Sequence, residues 1–414
     1  MIDGVNKKVA NTTVVVIEPH LSGHHGVYLE WIISALAESG VNVFLATSEE
    51  SASHPVVLAL QGKLKGFLTV MPVRWSVVNG IKVKGLFSAF IKSVAVWTLY
   101  RSIYRRIRKT TKPDIVFLPY LDELAISVAF RGAPFGATKW SAIAMQPQFH
   151  YPEIGIVKEG SRGLLFQGWI YRRILAEKNL TKLVIIDETL TPYLSKHFPE
   201  LVDRVLYMPD PIEIPKVMNK KKAKTMLGLT VGRPVILVYG SITKRKGVDT
   251  LLAAMSIEEF PKEVDVLIAG AQDQYVKSLL GMPLGRALIE SGRVYQINHR
   301  LSKEEEALVF SAASYVWAGY KKYLRMSGII VLAGRMKLPI IACDSGLVGW
   351  LTKKYASGIL VDVMSEKSVS EGVKRLVSES SDVESYVENG YLAYQRHSVK
   401  HAISVLRVAL NVDS

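Results

Sequence analysis

Short apolar runs alternate with amphipathic stretches along most of the chain, and this alternation predicts repeated strand–helix–strand units. TVVVIEP reads as a buried strand, GVYLEWIISALAESG as an amphipathic helix stopping at Gly40, and VNVFLATS as the next strand. With the loop HLSGHHG between them they make a βαβ unit, which implies a parallel sheet. PDIVFLPY, TKWSAIAM and KLVIIDE continue the strands. Pro209, Pro211 and Pro215, followed by KVMNKKKAKTMLGL, mark a linker and an exposed first helix. The grammar then restarts: PVILVYGS, VDVLIAG, RVYQINHRLS and SYVWAGY read as strands and KGVDTLLAAMS as a helix. SKEEEALVFSAA is a helix that Ser302 and Glu305 open as a capping box. VENGYLAYQRHSVKHAISVLRVAL reads as one long helical pattern. The expectation is an α/β chain of two doubly wound parallel-sheet domains facing a central cleft: a first domain over 1–208, a second over 209–390, and a C-terminal helix over 391–414 crossing back to the first.

Length supports this division, since 414 residues with 49% hydrophobic content exceed one ordinary core. The sole cysteine, Cys343, lies in an apolar strand, so no disulfide framework and no Cys-rich metal site is expected, and a reducing, cytoplasmic compartment fits. The polar start MIDGVNKKVANTT offers no signal-peptide core.

The net charge of +15 asks for an anionic partner: nucleic acid, acidic lipid or a phosphorylated substrate. No nucleic-acid signature occurs. From Lys82 to Pro113 the chain carries no acidic residue, with Leu86, Phe90, Trp97 and Tyr104 at helical spacing and an arginine cluster following. Two readings stand: a core helix whose arginines complement the negative end of its dipole, or shallow docking on an anionic membrane surface. The uncharged run between Lys92 and Arg101 is far shorter than the ~20 residues of a bilayer span.

The chemistry concentrates after the strands. In YGSITKRKGVDTLL, Gly240 and Ser241 end a strand and Lys244, Arg245 and Lys246 precede a helix opening near Gly247. Three cations at a helix N-terminus oppose its dipole unless an anion sits there, and phosphate is the natural occupant. In RMSGIIVLAGRMKLPIIACDSG, Ser327 and Gly328 open a second helix whose free N–H groups can face the same anion. Two such ends at the carboxyl edge of a parallel sheet suggest a diphosphate site.

Together these loops resemble the GT-B glycosyltransferases, in particular the retaining enzymes of family 4, over nearly the whole chain. The family's strand–Gly–Arg–Leu loop with Lys–Gly at the next helix is matched by Gly240, Lys246 and Gly247; its PVIA strand by Pro339 to Ala342; its first glycine-rich loop by Ser22 to Gly26; and its linker by Pro209-Asp210-Pro211. The resemblance implies two Rossmann-like domains and a nucleotide-diphosphate sugar as donor substrate, with no cofactor and no obligatory metal. It also implies fixed cations and backbone N–H groups around the departing diphosphate. The donor-binding set is Gly240, Ser241, Lys244, Arg245, Lys246, Arg300, Tyr323, Arg325, Ser327, Gly328 and Ile329, and the backbone of Tyr295–Ser302 lies where the family reads the base. The sequence departs from the family where its two donor-site carboxylates fall, at Leu324 and Leu332, and where its loop arginine is Ser241.

The first domain should hold a glycan or lipid-linked acceptor. Glu18, His24 and His25 near the first strand's end, and His150 within MQPQFHYPEIG, are the candidate catalytic residues; Gln146, Phe149 and Tyr151 give the latter loop an aromatic and polar mix suited to sugar. Asp122 and Glu123 read as an exposed helix cap. The activity expected is sugar transfer in envelope glycan synthesis at the inner membrane face. A catalytically silent GT-B subunit and a sugar-nucleotide epimerase are the alternatives.

Overall fold

The computed structural model describes residues 12–21, 25–75, 85–157, 161–378 and 380–411. His24, Ser22, Gly23, Lys82 and Lys84 lie outside them, as does the Leu86 side chain. The chain forms two compact units: one of Met1–Ile154, Glu159–Pro211 and Val399–Ser414, the other of Gly155–Lys158 and Ile212–Ser398.

The first unit is built on a seven-stranded parallel sheet ordered β3-β2-β1-β4-β5-β6-β7. Its strands are β1 Thr13–Ile17, β2 Asn42–Ser48, β3 Leu68–Val73, β4 Ile115–Leu118, β5 Lys139–Ala144, β6 Leu180–Ile185 and β7 Val205–Tyr207. All of β1 and β4 is buried, which is why TVVVI and IVFL are unbroken apolar runs and not alternating ones. Two apolar clusters cover the faces. One joins alternate positions Val15, Ile17, Val116 and Leu118 to the helix Gly85–Ile107; the other joins Val14, Val16, Ile115 and Phe117 to the helix His25–Glu38.

The second unit repeats the plan with six strands, ordered β10-β9-β8-β11-β12-β13: β8 Val235–Tyr239, β9 Asp265–Ala269, β10 Val294–Ile297, β11 Tyr315–Ala318, β12 Ile340–Cys343 and β13 Gly358–Val361. Every strand pair is parallel. Both sheets therefore reverse direction of winding beside their first strand, where a doubly wound sheet leaves room for a ligand. The capping box at Ser302 and Glu305 is present.

One expectation needs revision, and one open choice narrows. The C-terminal pattern is two helices, Ser380–Tyr394 and Val399–Leu410, and only the second belongs to the first unit, where the Ser141 hydroxyl donates to Ala409 O at 2.8 Å. The helix Gly85–Ile107 turns Trp97 and Tyr104 into the core and Arg101, Arg105 and Arg106 to solvent. Those aromatic rings are thus packing groups of the first unit. Among the described residues no helix is long and apolar enough to cross a membrane.

Candidate functional site

In the second unit, β8 ends at Gly240 in a left-handed conformation (φ 99°), which permits a tight exit from the strand. Lys244–Lys246 then form one 3-10 turn, Gly247 is left-handed (φ 64°), and the helix Val248–Ala254 begins. A Cβ at Gly247 would sit 2.4 Å from Gly319 O, so the loop after β11 presses directly on this turn. Two bonds clamp it there: Trp317 Nε1 donates to Lys246 O at 2.7 Å, and Lys321 N donates to Arg245 O at 2.8 Å.

The three cations part company. Lys246 is buried, and its ammonium donates to Tyr239 O at 2.7 Å and to Tyr320 Oη at 3.1 Å. Both acceptors are neutral, and among the described residues no carboxylate pairs with this ammonium. Arg245 lies over the Tyr323 ring at 4.7 Å, and Lys244 over the Tyr275 ring at 4.9 Å. Tyr320 Oη continues to Ser327 Oγ at 2.6 Å, so Ser327 caps no N–H of the helix Gly328–Arg335 and instead ties that helix start to Lys246. Ile329 is buried in its first turn. Tyr323 donates to Met326 O at 2.7 Å and shapes the turn holding exposed Arg325. Arg300 is exposed after β10 and acts electrostatically on Tyr239. The structure thus links the loops around Gly240, Lys246 and Ser327 into one hydrogen-bonded unit. Tyr320 and Trp317, which make the link, were not singled out by the sequence; the aromatic spacing in YVWAGYKKY was the available signal. Leu324 and Leu332 offer no side-chain acceptor, and Leu324 O accepts from Leu347 N at 3.1 Å.

In the first unit a pocket of about 290 Å³ opens at the carboxyl ends of β1, β4 and β5, lined among others by Glu18, His20, His25, Tyr120, Asp122 and Gln146. Glu18 is buried; its Oε1 accepts from His20 N at 3.1 Å and lies 3.3 Å from His25 Nδ1, while Oε2 has no partner among the described residues. Burial pushes its carboxyl above the usual range, against the pull of His25. His25 is held by stacking on Tyr120 at 3.7 Å. Burial also lowers His20. A buried carboxylate orienting an imidazole is the arrangement of a general base and its positioning partner.

Asp122 is no exposed cap. It accepts from Met145 N at 3.0 Å and Tyr171 Oη at 3.4 Å, burial raises its carboxyl, and the following helix Ala125–Arg131 starts without a side-chain cap. His150 lies away from the pocket lining. It is fully buried, with Nε2 2.7 Å from Thr189 Oγ1, and burial holds its imidazole down at about 3. Phe149 and Tyr151 turn inward with it, against Tyr171 and Asp187, and of that loop's sugar-like mix Gln146 reaches the pocket. Among the described residues no group of three or more His, Cys, Asp or Glu side chains is placed to hold a metal ion.

Two doubly wound parallel-sheet units, the second with cationic and glycine loops at its strand ends, define the GT-B glycosyltransferase fold. Residues 219–393 match the family of glycosyl transferases group 1. Sucrose-phosphate synthase from Thermosynechococcus elongatus superposes with a TM-score of 0.66 at 15% identity, covering 97% of this chain and 98% of that one. WaaG, a glycosyltransferase involved in lipopolysaccharide biosynthesis, gives 0.60 at 14% identity over 97% and 100%. HepE from Anabaena in complex with UDP and glucose gives 0.59 at 12% identity over 97% and 99%. No curated protein matches the chain in sequence.

Proposed function

We propose that this chain is a glycosyltransferase that moves a sugar from a nucleotide-diphosphate sugar to a hydroxyl of a glycan or lipid-linked glycan. It would act in envelope polysaccharide or glycoconjugate synthesis, on the cytoplasmic side and peripheral to the membrane. One observation carries the reading: the buried Lys246 ammonium, held by neutral acceptors and tied through Tyr320 to the start of the helix Gly328–Arg335, whose first turn has no side-chain cap. A buried cation without a counter-charge is costly, and a diphosphate supplies the missing charge. The UDP and glucose bound to HepE support this choice of donor.

Transfer breaks the bond between the anomeric carbon and the diphosphate oxygen. Lys246 and Arg245 neutralise the charge that develops there, and the Gly328 N–H adds a preorganised dipole, so departure needs no metal. The acceptor hydroxyl gives up its proton in the first unit, where Glu18 orients His25 as base. The resemblance to family 4 implies retention, in which the acceptor attacks from the face the diphosphate leaves and its proton can pass to the departing diphosphate, whereas direct displacement with His25 as base inverts the centre; the proton NMR spectrum of the first-formed product separates the two. Leu324 and Leu332, at that family's carboxylate positions, favour a second reading as a silent nucleotide-binding subunit.

A panel of nucleotide sugars separates the readings. Sugar transfer or slow donor hydrolysis supports the transferase; tight binding without turnover of any donor supports the silent subunit; and epimerisation without acceptor consumption overturns both.

A further inference from the structure

The helix Gly85–Ile107 buries its later aromatic residues but leaves Phe90 and Ile91, near its start, 40% and 43% exposed. They are part of a joined surface. Phe130, 53% exposed at the end of the helix Ala125–Arg131, meets Phe90 edge-on at 6.0 Å and Trp169 at 4.8 Å. Trp169 and Phe166 are stacked at 6.0 Å on the helix Arg162–Leu175, and their neighbour Leu165 is 74% exposed. Single exposed apolar side chains are ordinary, whereas a continuous patch contributed by three helices marks a contact surface.

Charge identifies what covers it. None of the three helices contains an Asp or Glu, and each supplies arginine. Arg131 follows Phe130 directly and lies over the Trp97 ring at 4.1 Å, with Arg101 at 5.1 Å. On the third helix Arg162 stands one turn before Leu165 and Phe166, and Arg173 one turn after Trp169, all on one stripe and both arginines exposed. Apolar side chains rimmed by cations fit the headgroup layer of an anionic bilayer, where shallow burial and phosphate attraction act together.

We infer that this face, centred on Phe130 and Leu165, docks the protein onto an anionic lipid surface, with Arg131, Arg162 and Arg173 meeting the lipid phosphates. The inference rests on the proposed membrane-side role; it keeps Phe90 of the acid-free stretch but moves the centre of the surface to the helices Ala125–Arg131 and Arg162–Leu175, since Trp97 and Tyr104 are enclosed. None of the patch residues belongs to the donor loops or to the Glu18 pocket.

The test is co-sedimentation of the full chain with equimolar phosphatidylglycerol and phosphatidylcholine vesicles at low salt. The parent should pellet, binding pure phosphatidylcholine far less and losing affinity as salt rises. Phe130→Ser with Leu165→Ser should lower the affinity about tenfold or more, and Arg131→Gln with Arg162→Gln and Arg173→Gln should lower it comparably. Leu165→Ser alone, whose side chain is already in water, should give a smaller loss in the same direction. A parent that stays in the supernatant overturns the inference, as does undiminished pelleting of both multiple variants. Concentration-dependent self-association that disappears in the Phe130 and Leu165 variant also overturns it, by making the face an interface between copies. Donor turnover without vesicles is measured beside these: if it is absent from every protein while the vesicle pattern holds, docking stands and the transferase reading falls.

Discussion

The two units share one winding order, yet the residues at their strand ends are opposite in charge. After β1 and β4 of the first unit come Glu18 and Asp122, buried carboxyls that desolvation pushes toward their neutral forms, with His20 and His25 beside Glu18. After β8 and β11 of the second come Lys244, Arg245, Lys246 and Lys321, with left-handed Gly240 and Gly247 bracketing the first three. Topology therefore supplies a place for chemistry, and the loop residues decide its sign. A pocket lined by raised carboxyls and a turn carrying three cations are the two outcomes here.

The largest expected effect breaks the cationic half. Arg245→Ala with Lys246→Ala should weaken nucleotide-diphosphate binding by about 10³-fold, because removing a buried, hydrogen-bonded charge that faces its opposite costs about 2–5 kcal/mol. Calorimetry with UDP measures it, and circular dichroism checks that the fold persists. Unchanged affinity would remove the anion site and with it the contrast between the units.

The acidic half is broken by Glu18→Gln. Turnover should fall by about 10²–10³-fold while UDP affinity holds, as expected when a base loses the group that orients and charges it. The pH profile of kcat/KM carries a sharper signature. Burial raises the Glu18 carboxyl, so the acidic limb of the parent should lie above the ordinary carboxylate range, with activity rising as Glu18 loses its proton. That limb should vanish in the variant. A parallel loss of UDP affinity would instead make Glu18 a structural group.

His150 sharpens the comparison from within the first unit. Its imidazole, held near 3 by burial, stays neutral when folded, whereas the unfolded chain takes up a proton below about 6.5. The stability this confers is complete above that unfolded value and is lost as pH falls toward 3. Between pH 6.5 and 5 the loss is about 2 kcal/mol. Urea midpoints of the parent should drop accordingly, and those of His150→Gln should be flatter over the same window. The raised carboxyls of Glu18, Asp122, Asp187 and Asp210 run the other way, because folding favours their protonated forms. A parent midpoint that rises on acidification would show that they outweigh the histidine.

The sequence disclosed the interior of each sheet and hid its margins. Central strands such as VVVI, IVFL and VILV are buried on both faces and read as apolar runs. The strands without a clear signal, β3, β7 and β13, all lie at sheet edges, where one side of the strand has no partner and short or half-exposed segments suffice. The site divided similarly. Cations before a helix suggest a local anion site, so spacing alone was enough to single out Lys244 to Lys246 as candidates. Tyr320 became visible once β8 and β11 lay side by side, since it acts on residues more than seventy positions away. His150 misled for a related reason: an apolar strand followed by polar residues specifies a strand end but not which side chains turn inward.

The smallest effect concerns the start of the helix Gly328–Arg335. Its first turn has no side-chain cap, because Ser327 Oγ is engaged by Tyr320 Oη, 2.6 Å away. Ser327→Ala removes that tie, while Lys246 keeps its bond to Tyr239 O and the helix keeps its N–H groups. UDP affinity should therefore fall only a few-fold, in line with the ~1 kcal/mol of a single neutral hydrogen bond. Gly328→Pro provides the contrast at the next position. Proline suits the first helical residue, so the helix should persist, but the N–H aimed at the anion is gone. Its loss of UDP affinity should exceed that of Ser327→Ala. If Ser327→Ala proves the more damaging, the Tyr320 link rather than the helix end governs the anion site, and the cationic half of the comparison rests on Lys246 and its aromatic support.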